Sequence, residues 1–155
     1  MLCFDGVGES MNRDELKKIL PHREPMLLVD EAYVTEDGKA KGFYRVRGDE
    51  FFLQGHFPGN PVVPGVIQCE IMAQCCCVLL QEAMKGPEGE KRNVTPYYTG
   101  LNNVKFRNPV KPGDRLEIIC EIDRIKEPFY FAKGSGFVDG KKCISADFSF
   151  ALIGE

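Results

Sequence analysis

Residues Val66 to Met84 of this 155-residue chain read as one helix that is apolar on nearly every face, and such a helix has to be enclosed by the rest of the molecule. Ile67, Cys69, Ile71, Met72, Ala73, Cys75, Cys76, Cys77, Val78, Leu79, Leu80 and Ala83 leave it no broad polar side. Pro64 and Gly65 stand where it would begin, and Gly86-Pro87 where it would stop. Its longest uninterrupted apolar run, Cys75 to Leu80, falls far short of the ~20 residues needed to cross a bilayer, so a water-soluble core is expected.

The elements available to enclose it are strands. Met26 to Val34 reads as a buried strand, Asp37-Gly38 as a hairpin turn and Lys39 to Val46 as the return. Beyond a charged loop, Lys85 to Asn93, come Tyr97 to Phe106, Arg115 to Ile125, Phe129 to Val138 and Lys142 to Leu152. Pro112-Gly113-Asp114, Glu127-Pro128 and Asp139-Gly140 separate them. A short helix over Asn12 to Leu20, capped by Asn12 and stopped by Pro21, precedes them all. The pattern predicts a single α+β domain over residues 11–155 with one buried helix and five or six largely antiparallel strands. Met1 to Ser10 has neither a basic region nor a long apolar stretch and is expected to be a loose tail.

Composition excludes several classes of function. A net charge of −3 offers no global basic excess for nucleic acid. Seven cysteines, three of them consecutive, form no CxxC pair and no Cys/His cluster, so neither a disulfide framework nor a zinc site is expected. They read as small, reduced, apolar residues of a cytoplasmic protein.

The chemistry concentrates in Gly55 to Gln74, GHFPGNPVVPGVIQCEIMAQ. Pro58, Pro61 and Pro64 stiffen a loop that carries His56, one of only two histidines, into the helix N-terminus. Glu70, Gln74 and Gln81 recur at helical spacing and draw a narrow polar seam along the rod. Burial raises the pKa of a carboxyl, and an imidazole titrates near neutrality, so Glu70 and His56 form a candidate proton-transfer pair. His22, set between Pro21 and Pro25 in a turn, reads as structural. Phe51, Phe52 and Phe57 add aromatic surface beside the loop.

Three blocks in order, LPHREPMLLVD from Leu20, the His56 segment, and GLNNVKFRNPVKPGD from Gly100, resemble the FabZ-type (3R)-hydroxyacyl-[acyl-carrier-protein] dehydratases over roughly Met11 to Ile153. The resemblance implies a hot-dog fold and conversion of a 3-hydroxyacyl thioester to its trans-2-enoyl form in type II fatty acid synthesis, with no cofactor. His56 would take the C2 proton. Glu70, protonated or sharing a proton with water, would serve the departing hydroxyl. The Gly65 N–H and the helical N–H groups from Val66 onward would face the thioester oxygen, and Gln74 would hold Glu70. Histidine and acid of one site come from different subunits in that family, so a homodimer is implied, with a hexamer as a trimer of dimers. Phe57, Val66, Ile67 and Tyr97 are candidates for the acyl tunnel, which Cys75 to Cys77, in place of smaller residues, would narrow. Glu24 also departs from the family, in which an aromatic residue is frequent there. Acyl carrier protein, the implied partner, is acidic; Lys105, Arg107, Lys111 and Arg115, with Lys133 and Lys141, are the candidate docking cations. The alternatives on the same fold are acyl-thioester hydrolysis and a dehydratase with added enoyl isomerase activity.

Overall fold

The computed structural model describes residues 8–81, 83–84 and 93–154. Along them run α1 (Arg13–Leu16), β1 (Glu31–Val34), β2 (Ala40–Arg45), a 3-10 turn (Phe51–Leu53), α2 (Gly65–Cys76), a second 3-10 turn (Cys77–Leu80), β3 (Val94–Phe106), β4 (Arg115–Lys126), β5 (Phe129–Val138) and β6 (Lys141–Gly154). The strands form one six-stranded sheet in the order β1-β2-β4-β5-β6-β3, antiparallel at every pairing. The passage through α2 carries the chain from β2 to the opposite edge, where β3 pairs only with β6. β4 then returns beside β2, and β4, β5 and β6 follow as a meander. A curved antiparallel sheet around one central helix is the hot-dog fold.

Alternation decides which face meets the helix. Leu116, Ile118 and Cys120 on β4 and Ile144, Ala146, Phe148 and Phe150 on β6 are buried, while the intervening Ser145, Asp147 and Ser149 stay partly exposed. Two glycines let α2 approach. A Cβ on Gly42 would lie 2.4 Å from Cys75 Sγ, and one on Gly134 would lie 2.8 Å from Met72 Sδ. Asp139 and Gly140 both take positive φ, 49° and 78°, and join Val138 to Lys141 as a two-residue hairpin of the type that suits strand twist.

Several expectations are corrected. The α-helix ends at Cys76 rather than Met84: the Cys77 N–H reaches the carbonyls of Ala73, Gln74 and Cys75, and the chain tightens into 3-10 geometry. Met26 to Val34 is a strand only from Glu31. Leu27, Leu28 and Val29 are buried, but backbone groups in this stretch are bonded by side chains: Gln74 takes Leu28 N–H and Met26 C=O, and Arg13 takes Leu27 C=O. Phe52 is core rather than surface, whereas Phe51 and Phe57 are exposed. α1 is a single turn, with Asn12 capping through a bond from Glu15 N–H. The expected tail is tied down at its end, since Gly8 N–H donates to Val34 C=O and Met11 bridges Ala32. Its first seven residues, the stop at Gly86-Pro87 and the charged loop as far as residue 92 lie outside the described residues. The six described cysteines, Cys69, Cys75, Cys76, Cys77, Cys120 and Cys143, are buried free thiols. Among the described residues no helix is long and apolar enough to cross a membrane.

Candidate active site

The loop before α2 is held by short-range backbone bonds. Phe57 and Asn60 exchange N–H and C=O bonds of 3.1 and 2.9 Å, Gly59 takes the left-handed conformation this turn needs, and Val62 N–H returns to His56 C=O. Val63 N–H fastens the loop to Val110 C=O. The His56 ring, stacked on Phe57, places Nδ1 2.9 Å from the Val62 carbonyl. A carbonyl only accepts, so Nδ1 carries the hydrogen and neutral His56 presents a bare Nε2 lone pair. An imidazole held in that tautomer is able to accept a proton at Nε2.

Proline at position 64 ends the loop and caps α2. The N–H groups of Ile67 and Gln68 turn back to Pro64 C=O, which leaves those of Gly65 and Val66 without a backbone partner among the described residues. They form the positive end of the helix. The Phe106 ring lies against Gly65, so close that a Cβ there would sit 2.6 Å from Cζ. Glycine at this position therefore admits a ring of the same chain.

One and two turns farther along α2, Glu70 and Gln74 meet. Gln74 Nε2 donates to Glu70 Oε1 at 2.9 Å and to Met26 C=O at 2.7 Å, while its Oε1 accepts from Leu28 N–H at 2.8 Å. With both of its donor hydrogens and its carbonyl engaged, Gln74 has one orientation. Glu70 opens onto a cavity of ≈ 150 Å³ lined by His22, Ala73, Gln74, Cys77, Pro96, Tyr97, Tyr98 and Phe150. Tyr98 crosses from β3 to donate to Cys69 C=O.

Two expectations fail here. His22 is not merely a turn residue: its Nε2 lies 3.2 Å from Glu70 Oε1. Nor is the Glu70 carboxyl raised. The hydrogen bond from His22 holds it below the usual carboxylate range, against the opposing effect of burial and with help from Gln74. Sequence reasoning missed His22 because a histidine between prolines has the look of a turn; its place in the LPHREP block was the available signal.

The other candidates divide. Tyr97 lines the Glu70 cavity, and Cys77 does so from the cysteine run; Phe57, Val66 and Ile67 do not. Phe57, Val66, Tyr97 and Phe106 are exposed, Val66 at 74%. His56 forms no hydrogen bond or ion pair with Glu70 within one chain, and the imidazole beside this carboxyl is His22. Lys105 and Arg107 line a groove of ≈ 470 Å³ on the outer face of the sheet together with Lys39 and Lys133, and with Glu121 and Asp147 among them. Lys111, Arg115 and Lys141 lie outside it; Arg115 pairs with Glu31 at 2.7 Å and stacks over Phe43. Among the described residues no group of three or more His, Cys, Asp or Glu is placed to hold a metal.

Comparison with known proteins follows the same lines. A FabA-like domain model matches residues 20–147. The 3-hydroxyacyl-[acyl-carrier-protein] dehydratase FabZ of Clostridium beijerinckii is 42% identical over 147 residues, spanning 92% of this chain and 99% of the relative. The FabZ of Caldicellulosiruptor bescii is 43% identical over 144 residues, spanning 91% and 98%. Among solved structures, the dehydratase heterocomplex ApeI:P from Xenorhabdus doucetiae matches at a TM-score of 0.76 and 20% identity, over 90% of this chain and 91% of that one, a likeness of fold. On the extent of the domain match and the identity to full-length relatives, this chain belongs to the FabA-like family, in its FabZ dehydratase branch.

Proposed function

We propose that this chain is a hydro-lyase that dehydrates (3R)-3-hydroxyacyl groups on acyl carrier protein to trans-2-enoyl groups in fatty acid synthesis, acting as a homodimer in the cytoplasm. The observation that carries the reading is Glu70, oriented by Gln74 and lining a cavity, on the same helix whose first N–H groups have no backbone partner among the described residues. The FabZ names of the relatives supply the substrate class.

His56 Nε2 takes the proton at C2 while the N–H groups of Gly65 and Val66 stabilise charge on the thioester oxygen. The C3–O bond breaks as Glu70 delivers a proton to the departing hydroxyl, and water leaves. An acyl chain filling the cavity removes solvent from Glu70 and favours the protonated form that this step requires. Within one chain His56 forms no hydrogen bond or ion pair with Glu70, which supports a site in which a second copy supplies the histidine. Exposed Phe57, Val66, Tyr97 and Phe106, with the unpaired edge of β3, are the surface such a copy would cover. The Lys105, Arg107 and Lys133 cations are the docking surface offered to the acidic carrier.

The test is incubation with 3-hydroxybutyryl-carrier protein while enoyl absorbance is followed. Removing a proton-transfer group costs about 10²- to 10⁴-fold, so His56→Ala and Glu70→Gln should each lose that much with the fold retained. Unchanged turnover in both variants, or release of free thiol without enoyl product, would overturn the reading.

A further inference from the structure

We infer that His22 is a positioning residue for Glu70, clamping one carboxyl oxygen so that the other is left for the reacting hydroxyl. Both hydrogen bonds to this carboxyl end on the same atom: His22 Nε2 at 3.2 Å and Gln74 Nε2 at 2.9 Å reach Oε1. Oε2 receives no bond among the described residues. Two donors from different elements fix the carboxyl at one oxygen, which leaves the second for a molecule in the cavity that Glu70 lines together with both donors.

The segment that carries His22 is built to hold it. Pro21 and Pro25 bracket the turn, and the Arg23 guanidinium donates to the carbonyls of Leu20, His22 and Lys17 at 2.9, 2.7 and 3.2 Å. His22 Nδ1 is buried and has no hydrogen-bond partner among the described residues. An ionised carboxylate only accepts, so Nε2 carries a hydrogen and directs it at Glu70 Oε1.

Other groups facing Glu70 leave its charge to these two donors. Gln74 is neutral; the Cys77 thiol and the Tyr98 phenol, both pushed up by burial, stay protonated through the neutral range; Tyr97, Ala73, Pro96 and Phe150 complete the wall. His22 is the largest cause of the lowered Glu70 pKa. In the dehydration reading, on which the kinetic part of this inference rests, His22 sets both the direction in which Glu70 delivers its proton and the pH below which the carboxyl fills with one.

The decisive comparison uses the full chain with His22→Leu, which fills the space without a donor, and His22→Gln, which keeps an amide donor and cannot titrate. Glu70 is followed directly by carboxyl-carbon NMR titration, assigned with Glu70→Gln, and kcat/KM is measured against pH in parallel. The Glu70 midpoint is expected to move to higher pH in His22→Leu and to stay near wild type in His22→Gln, with the pH dependence of kcat/KM shifting in step and kcat lowered more than KM is raised. A Glu70 midpoint unmoved in folded His22→Leu would overturn the assignment; should that variant not fold, His22→Ala takes its place with the same reading. If wild type dehydrates no substrate, the functional reading falls, while the NMR midpoints still decide the role of His22.

Discussion

Gln74 is a buried polar residue with every hydrogen-bonding group of its amide engaged. It is 1% exposed, and its amide satisfies Leu28 N–H, Met26 C=O and Glu70 at once. Gln74→Leu keeps the size and removes all three bonds, leaving a buried N–H without an acceptor. The expected cost is ~1–3 kcal/mol, read from the denaturant midpoint, together with a Glu70 carboxyl that titrates at higher pH because a donor to its ionised form is gone. A variant as stable as wild type would mean that Leu28 N–H finds another acceptor. The i, i+4 relation of Glu70 and Gln74 was legible in the sequence because helical spacing alone brings them together. His22 was not legible, because its contact with Glu70 spans 48 positions and depends on how the turn before β1 folds over the helix. The direction of the Glu70 shift was lost with it: burial was visible, but the donor that outweighs burial was not.

At the scale of elements, the sheet is shaped to its helix by residues without side chains. Gly42 on β2 faces Cys75 so closely that an added methyl group must displace either the thiol or the helix. Gly42→Ala is therefore expected to destabilise the chain by ~1–3 kcal/mol, and Gly42→Ala combined with Cys75→Ala to recover part of that loss because the obstructing sulfur is gone. Equal destabilisation in the single and double variants would place the strain elsewhere, in the strand itself. The glycine-cysteine contact also gives the cysteine run a packing role: Cys75 fills the space over Gly42, Cys76 lies beside Cys120, and Cys77 turns to the Glu70 cavity. Strands β4 to β6 were legible nearly to their ends, since alternation and turn residues agree there. Met26 to Val29 was not, because a run of buried apolar residues looks the same whether its backbone bonds go to a neighbouring strand or to the side chains of Arg13 and Gln74.

At the scale of the whole molecule, the proposed base His56 and the proposed acid Glu70 form no hydrogen bond or ion pair with each other within one chain. His56 is held in one tautomer at the end of a loop whose neighbouring apolar side chains face solvent, and Glu70 sits in a cavity whose imidazole is a different histidine. β3 offers the long unpaired edge, with Tyr97, Leu101 and Phe106 exposed along it. A dimer across that edge, with each site built from His56 of one subunit and Glu70 of the other, makes a quantitative demand on mixtures. A heterodimer of His56→Ala and Glu70→Gln chains carries both lesions in one of its two sites and neither in the other. Random exchange makes half of the dimers heterodimers, so two inactive preparations, mixed and allowed to re-equilibrate, should recover about a quarter of wild-type activity by the symmetry of a two-fold assembly. Recovery should also disappear when Leu101→Lys places a charge on the β3 edge and sedimentation shows monomers. A mixture that exchanges subunits fully and stays as inactive as its components would mean that each site is completed within one chain, and the separation of His56 from Glu70 would then require movement of the proline loop instead of a second copy.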